Sequence, residues 1–518
     1  MKSRLVRLQS EDKVPVAKES GGCFCYNGGE VREMLSKQQT EKNKQLVCIS
    51  IEDLVPPDHL VRKIVRVMDF TFIYKVVEDR YSPDTGRPSI DPVVLVKMVM
   101  LQYLFGIRSM RQTVKEIEVN MAYRWFLGLS LTDTVPHFTT FGKNYTRRFE
   151  GTTLFEDIFA RILEQCYDRG FIKDDTVYVD ATHVKASANR HKRKKVEVVR
   201  EAAAYAKELR KEIDADRAAH EKKPLGKDDD DEGSGSTPPT KHITQSTTDP
   251  ESGMFVKGEH KRDFAYMAQT ACDRNGFVLH YEVAAGNAHD SVSFPALYEK
   301  LKPLNPCIVV MDAGYKTPYI VRMMIKDGII PLLPRTAPKT GKGLFRKYEY
   351  VYDEYHDCYI CPNNLALAYS TTTREGYREY KSKSYHCLQC PYRAQCTRST
   401  NATKVVTHHV WQDYMEMAEG FRLTLGMRDV YRGRKETIER VFADAKEKHG
   451  MRYTHYRGMA KLRFEIGMTF ACMNLKKLAT WVAAFVSLLC SCFLPAIFLI
   501  HIKTKPLLLS LDSALSSL

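Results

Sequence analysis

Residues 176–186 read Thr-Val-Tyr-Val-Asp-Ala-Thr-His-Val-Lys-Ala, an alternation of apolar and polar positions rich in β-branched and aromatic side chains. Period-two alternation of this kind predicts a strand, and this strand carries one carboxylate, Asp180. A second apolar run, residues 307–315, also reaches an aspartate, Asp312, with Gly314 just beyond it to permit a sharp exit. A third acid, Glu439, lies far downstream in a stretch of helical period. Ile438, Val441, Phe442 and Ala445 follow the i, i+3, i+4, i+7 spacing of a buried stripe, with Glu439 at its margin. A lone acid at a strand end is by default a turn or cap residue. Two on successive strands and one on a late helix converge only through a mixed α/β fold.

Neighbouring strands lie about 4.8 Å apart. Side chains from two of them can therefore reach one pair of hard divalent cations, which prefer carboxylate oxygen and sit about 3.5–4 Å apart in two-ion sites. Asp180, Asp312 and Glu439 are accordingly the candidate catalytic residues and ligands of two Mg2+ (or Mn2+) ions acting on a phosphodiester. Glu439 and Lys446 are seven residues apart, about 10.5 Å along a helix axis and on nearly the same face. The acid can thus face metal while the lysine meets a phosphate; the plain alternative is two solvated charges.

The formal charge of +15 over 518 residues points to a polyanionic partner, most simply nucleic acid, although an anionic membrane surface would serve as well. The length allows two to four domains. Residues 1–33 lack the apolar core of a secretory signal, so a reducing cytoplasm is the expected location. Cys48, Cys166, Cys272 and Cys307 stand alone and fit free buried thiols, while Cys23 and Cys25 are too isolated to make a site.

Residues 1–45 are polar and predict a poorly ordered tail. From residue 46 to 165 helical patterns dominate. Leu60, Ile64, Val65 and Met68 recur at helical spacing, Asp91 is a predicted N-cap with Pro92 at the first helical position, and residues 109–117 and 138–149 mix apolar positions with basic ones. Arg147 and Arg148 in the last of these are candidate DNA contacts, although a bundle with solvated basic faces reads the same way. Residues 170–334 and 425–480 predict strand, hairpin, helix, strand, helix, strand and a final helix. That is the ribonuclease H-like succession, broken by insertions at 187–248 and 335–424 that are too long for an undivided domain and are expected to be separate units. The first carries a basic run, in which Lys192 and Arg193 are candidate DNA contacts, a helix to about Ala219 and an acidic Gly/Ser-rich loop at 228–236. Residues 481–518 form an apolar tail. Residues 478–500 are uncharged and long enough to span a bilayer, but Ser487, Ser491 and Pro495 and the lack of a second such segment favour a packed terminal helix.

The second insertion holds Cys358-x2-Cys361 and Cys387-x2-Cys390-x5-Cys396, with a proline after each pair. Paired CxxC knuckles in a reducing compartment predict a structural zinc site, with redox or unrelated buried thiols as the alternative.

The segments 178–182, 312–315 and 438–442, together with Lys446 and Arg457-Gly458, resemble bacterial insertion-sequence DDE transposases, in the branch with a helical N-terminal domain and cysteines before the last acid. The resemblance spans about residues 50–480. It implies an α/β, ribonuclease H-like catalytic core, an all-α N-terminal DNA-binding domain and a small cysteine-rich insertion. It also implies metal-dependent cleavage and transfer of double-stranded DNA at terminal inverted repeats, by a homodimer on DNA. Its Tyr-x2-Arg-x3-Glu-x6-Lys signature is met by Tyr431, Arg434, Glu439 and Lys446 with one extra residue between Arg434 and Glu439, which puts the role of Arg434, a candidate DNA contact, in question. Cys361, Cys387, Cys390 and Cys396 match the family's cysteine pattern for one zinc, with Cys358 a spare or exchanged ligand. The competing reading is a DNA-binding protein with a decayed nuclease core, which the presence of all three acids disfavours.

Overall fold

The computed structural model describes residues 49–82, 89–199, 206–225, 240–257, 261–336 and 341–515. The expected tail at 1–45, Cys23, Cys25, Cys48 and the acidic run at 228–236 fall outside them.

Eight helices open the described chain: α1 (Ile51–Leu54), α2 (Leu60–Val67), α3 (Phe72–Val77), α4 (Pro92–Leu104), α5 (Met110–Val119), α6 (Met121–Leu127), α7 (Phe138–Asn144) and α8 (Leu154–Asp168). Their starts follow local chemistry. The Asp91 carboxylate accepts from Val93 N with Pro92 at the first position, and Ser109 and Asn120 cap α5 and α6 in the same way. In α2 the buried stripe is Val61, Ile64 and Val67, while Val65 is exposed, so the face is rotated from the one read in the sequence.

The sheet that follows comprises β1 (Thr176–Lys185), β2 (Arg193–Val199), β3 (Thr240–Ser246), β4 (Gly253–Lys257), β5 (Lys261–Cys272), β6 (Val278–Ala285), β7 (Ile308–Val310) and β8 (Ile330–Leu332). β1 is antiparallel to β5 and parallel to β7, β7 is parallel to β8, and β6 is antiparallel to β5. The order β6-β5-β1-β7-β8, antiparallel on one side of β1 and parallel on the other, is that of a ribonuclease H-like core. Helix α9 (Ala206–Ala219) lies between β2 and β3, α10 (Asp290–Leu301) precedes β7, and α11 (Pro318–Lys326) links β7 to β8.

The insertion at 187–248 is not a separate unit, contrary to expectation. β2 and β3 pair with each other and continue through β4 onto the first half of β5, Lys261–Ala265, while β6 takes the second half of that edge. The two pieces meet where Gly286 N donates to Ala265 O. A Cβ on Gly286 would fall 2.4 Å from that oxygen, so only glycine allows the close approach. The second insertion builds its own antiparallel sheet, β9 (Val351–Asp353), β10 (Cys358–Ile360), β11 (Ala366–Thr372), β12 (Tyr377–Lys381) and β13 (Val405–His409), over a small core of Tyr350, Tyr359, Leu367, Tyr380 and Val406. Helices α12 (Ser384–Leu388) and α13 (Arg393–Cys396) carry its later cysteines. The insertions pack together. Asp216 of α9 accepts from Thr372 Oγ1 at 2.6 Å and Arg378 Nε at 2.7 Å, and the His220 ring stacks on Tyr369 at 3.8 Å.

After α14 (Gln412–Leu423), α15 (Met427–Arg432) and α16 (Ile438–Lys448), the long α17 (Met459–Leu515) packs against α2, α4 and α8 as well as β6. The N-terminal helices and the sheet therefore share one hydrophobic core, within a compact unit at Ile51–Leu518. The helical region is thus built onto the core and is not set apart as a domain of its own. Burial along α17 runs through Leu478 and Ala479 and gives way to exposed Phe485 and Val486. Among the described residues no helix is long and apolar enough to cross a membrane. Cys166 and Cys272 are buried thiols as expected, whereas Cys307 is exposed.

Glu465 on α17 gives the fold a pH signature. Burial pushes its carboxyl up to about 7, against a hydrogen bond from Thr454. The unfolded chain ionises this group near 4.3. Between those values the native state keeps a proton that the unfolded state has lost, so stability falls as pH rises through the window. Glu465→Gln is expected to gain about 3–4 kcal/mol at pH 8 and nothing at pH 4. Denaturant melts at the two pH values check this, and equal gains would contradict it.

Candidate active site

Tyr178, Asp180 and Thr182 share one face of β1, because side chains alternate along a strand. The parallel register pairs Tyr178 with Val310; Asp180 lies two residues further along β1, and Asp312 two residues past Val310, just beyond the end of β7. The backbone leaves the strand there, turning through Ala313–Tyr315 with Asp312 still extended.

The two carboxylates share one cation. Arg434 Nη2 is 2.8 Å from Asp180 Oδ2, and Nη1 is 3.3 Å from Asp312 Oδ1 and 3.3 Å from the Tyr431 hydroxyl. Burial pushes the Asp180 carboxyl up, and Arg434 and the Ala181 N–H oppose that shift. Arg434 is 7 % exposed. It is therefore an internal counter-charge to the acids, not the surface DNA contact that sequence reading made it. Asp312 is the more open acid, its side chain half exposed.

The extra residue between Arg434 and Glu439 is absorbed at Thr437, whose φ of −110° and ψ of −94° break the chain between a 3-10 turn at Gly433–Lys435 and α16. The break lets Arg434 reach the aspartates while Glu439 opens a new helix. α16 then runs beside β1 in the same sense. Lys446 Nζ donates to Thr182 Oγ1, and beyond the helix Lys185 N donates to Arg452 O at 3.2 Å while Thr454 N donates to Lys185 O at 2.9 Å. Lys446 is thus held against β1, two residues along from Asp180. Glu439, two turns earlier on the same edge, is exposed and makes no hydrogen bond or ion pair among the described residues.

Among the described residues no group of three or more His, Cys, Asp or Glu side chains is gathered closely enough to hold a metal ion. The expected trio is therefore only two-thirds assembled. The oxygen donors nevertheless fit a hard divalent cation: two carboxylates close enough to share one counter-charge, and two buried hydroxyls that lack protein partners, Thr270 Oγ1, on the residue paired with Asp180, and the Tyr315 hydroxyl.

Among the described residues the cysteines do not close into a cage. Cys361 and Cys387 act electrostatically on Cys396, whereas Cys358 responds to Asp353 and Asp357. Cys396 Sγ lies 3.1 Å from the Tyr350 hydroxyl, and Cys387 Sγ 3.2 Å from Ser382 Oγ. Of the remaining candidates, Arg147, Lys192 and Arg193 are exposed, while Arg148 lies over the Tyr81 ring at 4.3 Å. Arg193 also lines, with Arg190, His191 and Arg262, a basic cavity of about 220 Å³.

Residues 49–147 match a family model described as Transposase domain (DUF772), and residues 360–479 match one described as Transposase DDE domain. The likeness to insertion-sequence DDE transposases is thus borne out over these two segments. The second match takes in Arg434, Glu439, Lys446 and the paired cysteines from Cys361 to Cys396, while Asp180 and Asp312 lie outside both. Two solved structures are similar. One is a pre-cleavage Mos1 transpososome, at 10% identity, and the other the Mos1 transposase paired-end complex with left transposon end, at 12%. Each alignment covers 71% of this chain and 82% of the other at a TM-score of 0.16. No curated protein matches the chain. Sequence reading missed Thr270, opposite Asp180 on β5, and the buried Tyr315 hydroxyl, and no local signal marks them.

Proposed function

We propose that this transposase binds the ends of its own element as double-stranded DNA and cleaves and transfers strands at a site built on Asp180, Asp312 and Glu439. The observation that carries the reading is the pair of aspartates, one on β1 and one just past the parallel β7, joined by the buried Arg434. Divalent cations bound there, Mg2+ or Mn2+, supply charge stabilisation to the phosphodiester under attack. Asp180 and Asp312 hold them. Glu439, on the open edge of α16, completes the set when DNA is present. Arg434 offsets the charge of the aspartates and orients them.

In the first step a water oxygen forms a bond to phosphorus as the bond to the 3′ oxygen breaks, and that oxygen takes up a proton. In the second the freed 3′-OH attacks a target phosphodiester, displacing another 3′ oxygen. Lys446, Arg147, Arg148, Lys192 and Arg193 contribute phosphate contacts, and a homodimer pairs the two ends. Zinc on Cys361, Cys387, Cys390 and Cys396 is structural, since four thiolates leave no open position for water.

The test uses the full chain and duplexes bearing the DNA that flanks its own gene. Cleavage at the element ends is expected only with Mg2+ or Mn2+. Binding, if it neutralises six or more phosphates, is expected to weaken about a thousandfold or more between 50 and 200 mM salt. Salt-independent binding, or cleavage undiminished in chelator, would refute the reading.

A further inference from the structure

Asp290 is the first residue of α10, behind the cap His289. Its backbone oxygen accepts from Gln269 Nε2 at 2.6 Å, which fixes the helix start against β5. An acid here would ordinarily serve only the helix terminus. Its carboxylate instead turns to the chain segment that follows Asp312. A Cβ built on Gly314 would fall 2.9 Å from Asp290 Oδ2, so this approach depends on the absence of a side chain at 314.

A second observation points into the same space. Tyr315 is fully buried, and its hydroxyl has no hydrogen-bond partner. Its ring packs edge-on against Phe294 of α10 at 5.4 Å, and the charges that act on it are those of Asp290, Asp180, Arg434 and Asp312. A buried hydroxyl without a partner is destabilising. Here it is left unpaired within the field of three carboxylates, Asp290, Asp180 and Asp312.

We propose that Asp290 is a fourth carboxylate of the site, holding a divalent cation together with Asp312, and that Tyr315 is a positioning residue whose hydroxyl donates to that carboxylate pair once the cation is bound. The proposal rests on the reading of Asp180 and Asp312 as metal ligands and adds two residues to it. Gly314 is the feature of the Asp-Ala-Gly turn that admits Asp290.

The test is Mn2+ binding to the full chain without DNA, followed by the paramagnetic resonance of free Mn2+, with a thermal melt of each variant. Asp312→Asn and Asp290→Asn are each expected to weaken Mn2+ binding at least about tenfold, and Tyr315→Phe by several-fold with no loss of thermal stability. Gly314→Ala, which keeps the Asp290 carboxylate but displaces it, is expected to weaken binding as Asp290→Asn does, and it decides the matter should Asp290→Asn fail to fold. Normal affinity in Asp290→Asn or Gly314→Ala, beside a weakened Asp312→Asn, would overturn this inference and leave the proposed function standing. Normal affinity in Asp312→Asn would overturn both.

Discussion

Glu439→Gln is expected to abolish strand cleavage, by about a thousandfold or more, while leaving the melting temperature and end binding essentially unchanged. Glu439 is exposed and unpartnered, so the protein loses no contact with it, and surface changes of this kind stay within about 0.5 kcal/mol. A carboxylate that holds catalytic metal is worth several kcal/mol in the transition state, and about 4 kcal/mol corresponds to a thousandfold in rate. Asp180→Asn and Asp312→Asn are expected to lose cleavage to the same degree but to differ in stability. Removing the charge of Asp180 strips the buried Arg434 of its nearer partner, and breaking a buried pair costs about 3–5 kcal/mol, whereas Asp312 is half exposed and contributes less. Cleavage rates on element-end duplexes, with thermal melts alongside, check all three. Wild-type cleavage by Glu439→Gln would return that residue to the status of a solvated charge.

The second large effect concerns the cysteines. Purified protein is expected to carry one zinc, and Cys387→Ser with Cys390→Ser to lose it and loosen the segment from β9 to β13. That segment buries only five core side chains, so it depends heavily on a staple, and structural zinc contributes on the order of 10 kcal/mol to modules of this size. Cys358→Ser is expected to keep its metal, because the other four cysteines are the set that matches the family's pattern for one zinc. Metal analysis and limited proteolysis of the second insertion read both effects. Zinc at full stoichiometry without Cys387 and Cys390 would sink the assignment.

Both expectations bear on how much of this chain is legible without its fold. The alternating run at 176–186 becomes β1, the turn at 273–276 joins β5 to β6, and Asp91-Pro92 opens α4, because period, turn chemistry and capping act over a few residues. The two candidate aspartates were picked out for the same reason, each in a recognisable apolar run, although Asp180 sits mid-way along β1 and Asp312 just past β7. Glu439 was legible from its helix margin and from the family signature. The status of Arg434 was not, since it depended on where a one-residue excess would be absorbed, and that was decided by a backbone break at Thr437.

What the residues alone determined is therefore local: the strands, the helix caps, the paired cysteines and the three separate acids. Tertiary structure decided what those pieces meet. It joined β2 and β3 to the core sheet where spacing suggested a detached insertion, and it rotated the buried face of α2. It also merged the N-terminal helices and the sheet into one core through α17. It placed Arg434 between Asp180 and Asp312, and it set Asp290 and Tyr315 beside them. The physical reason is range. Period and capping are settled by neighbours within a turn or two, whereas a buried ion pair between residues 254 positions apart, as Asp180 and Arg434 are, exists only once packing has excluded water from around both.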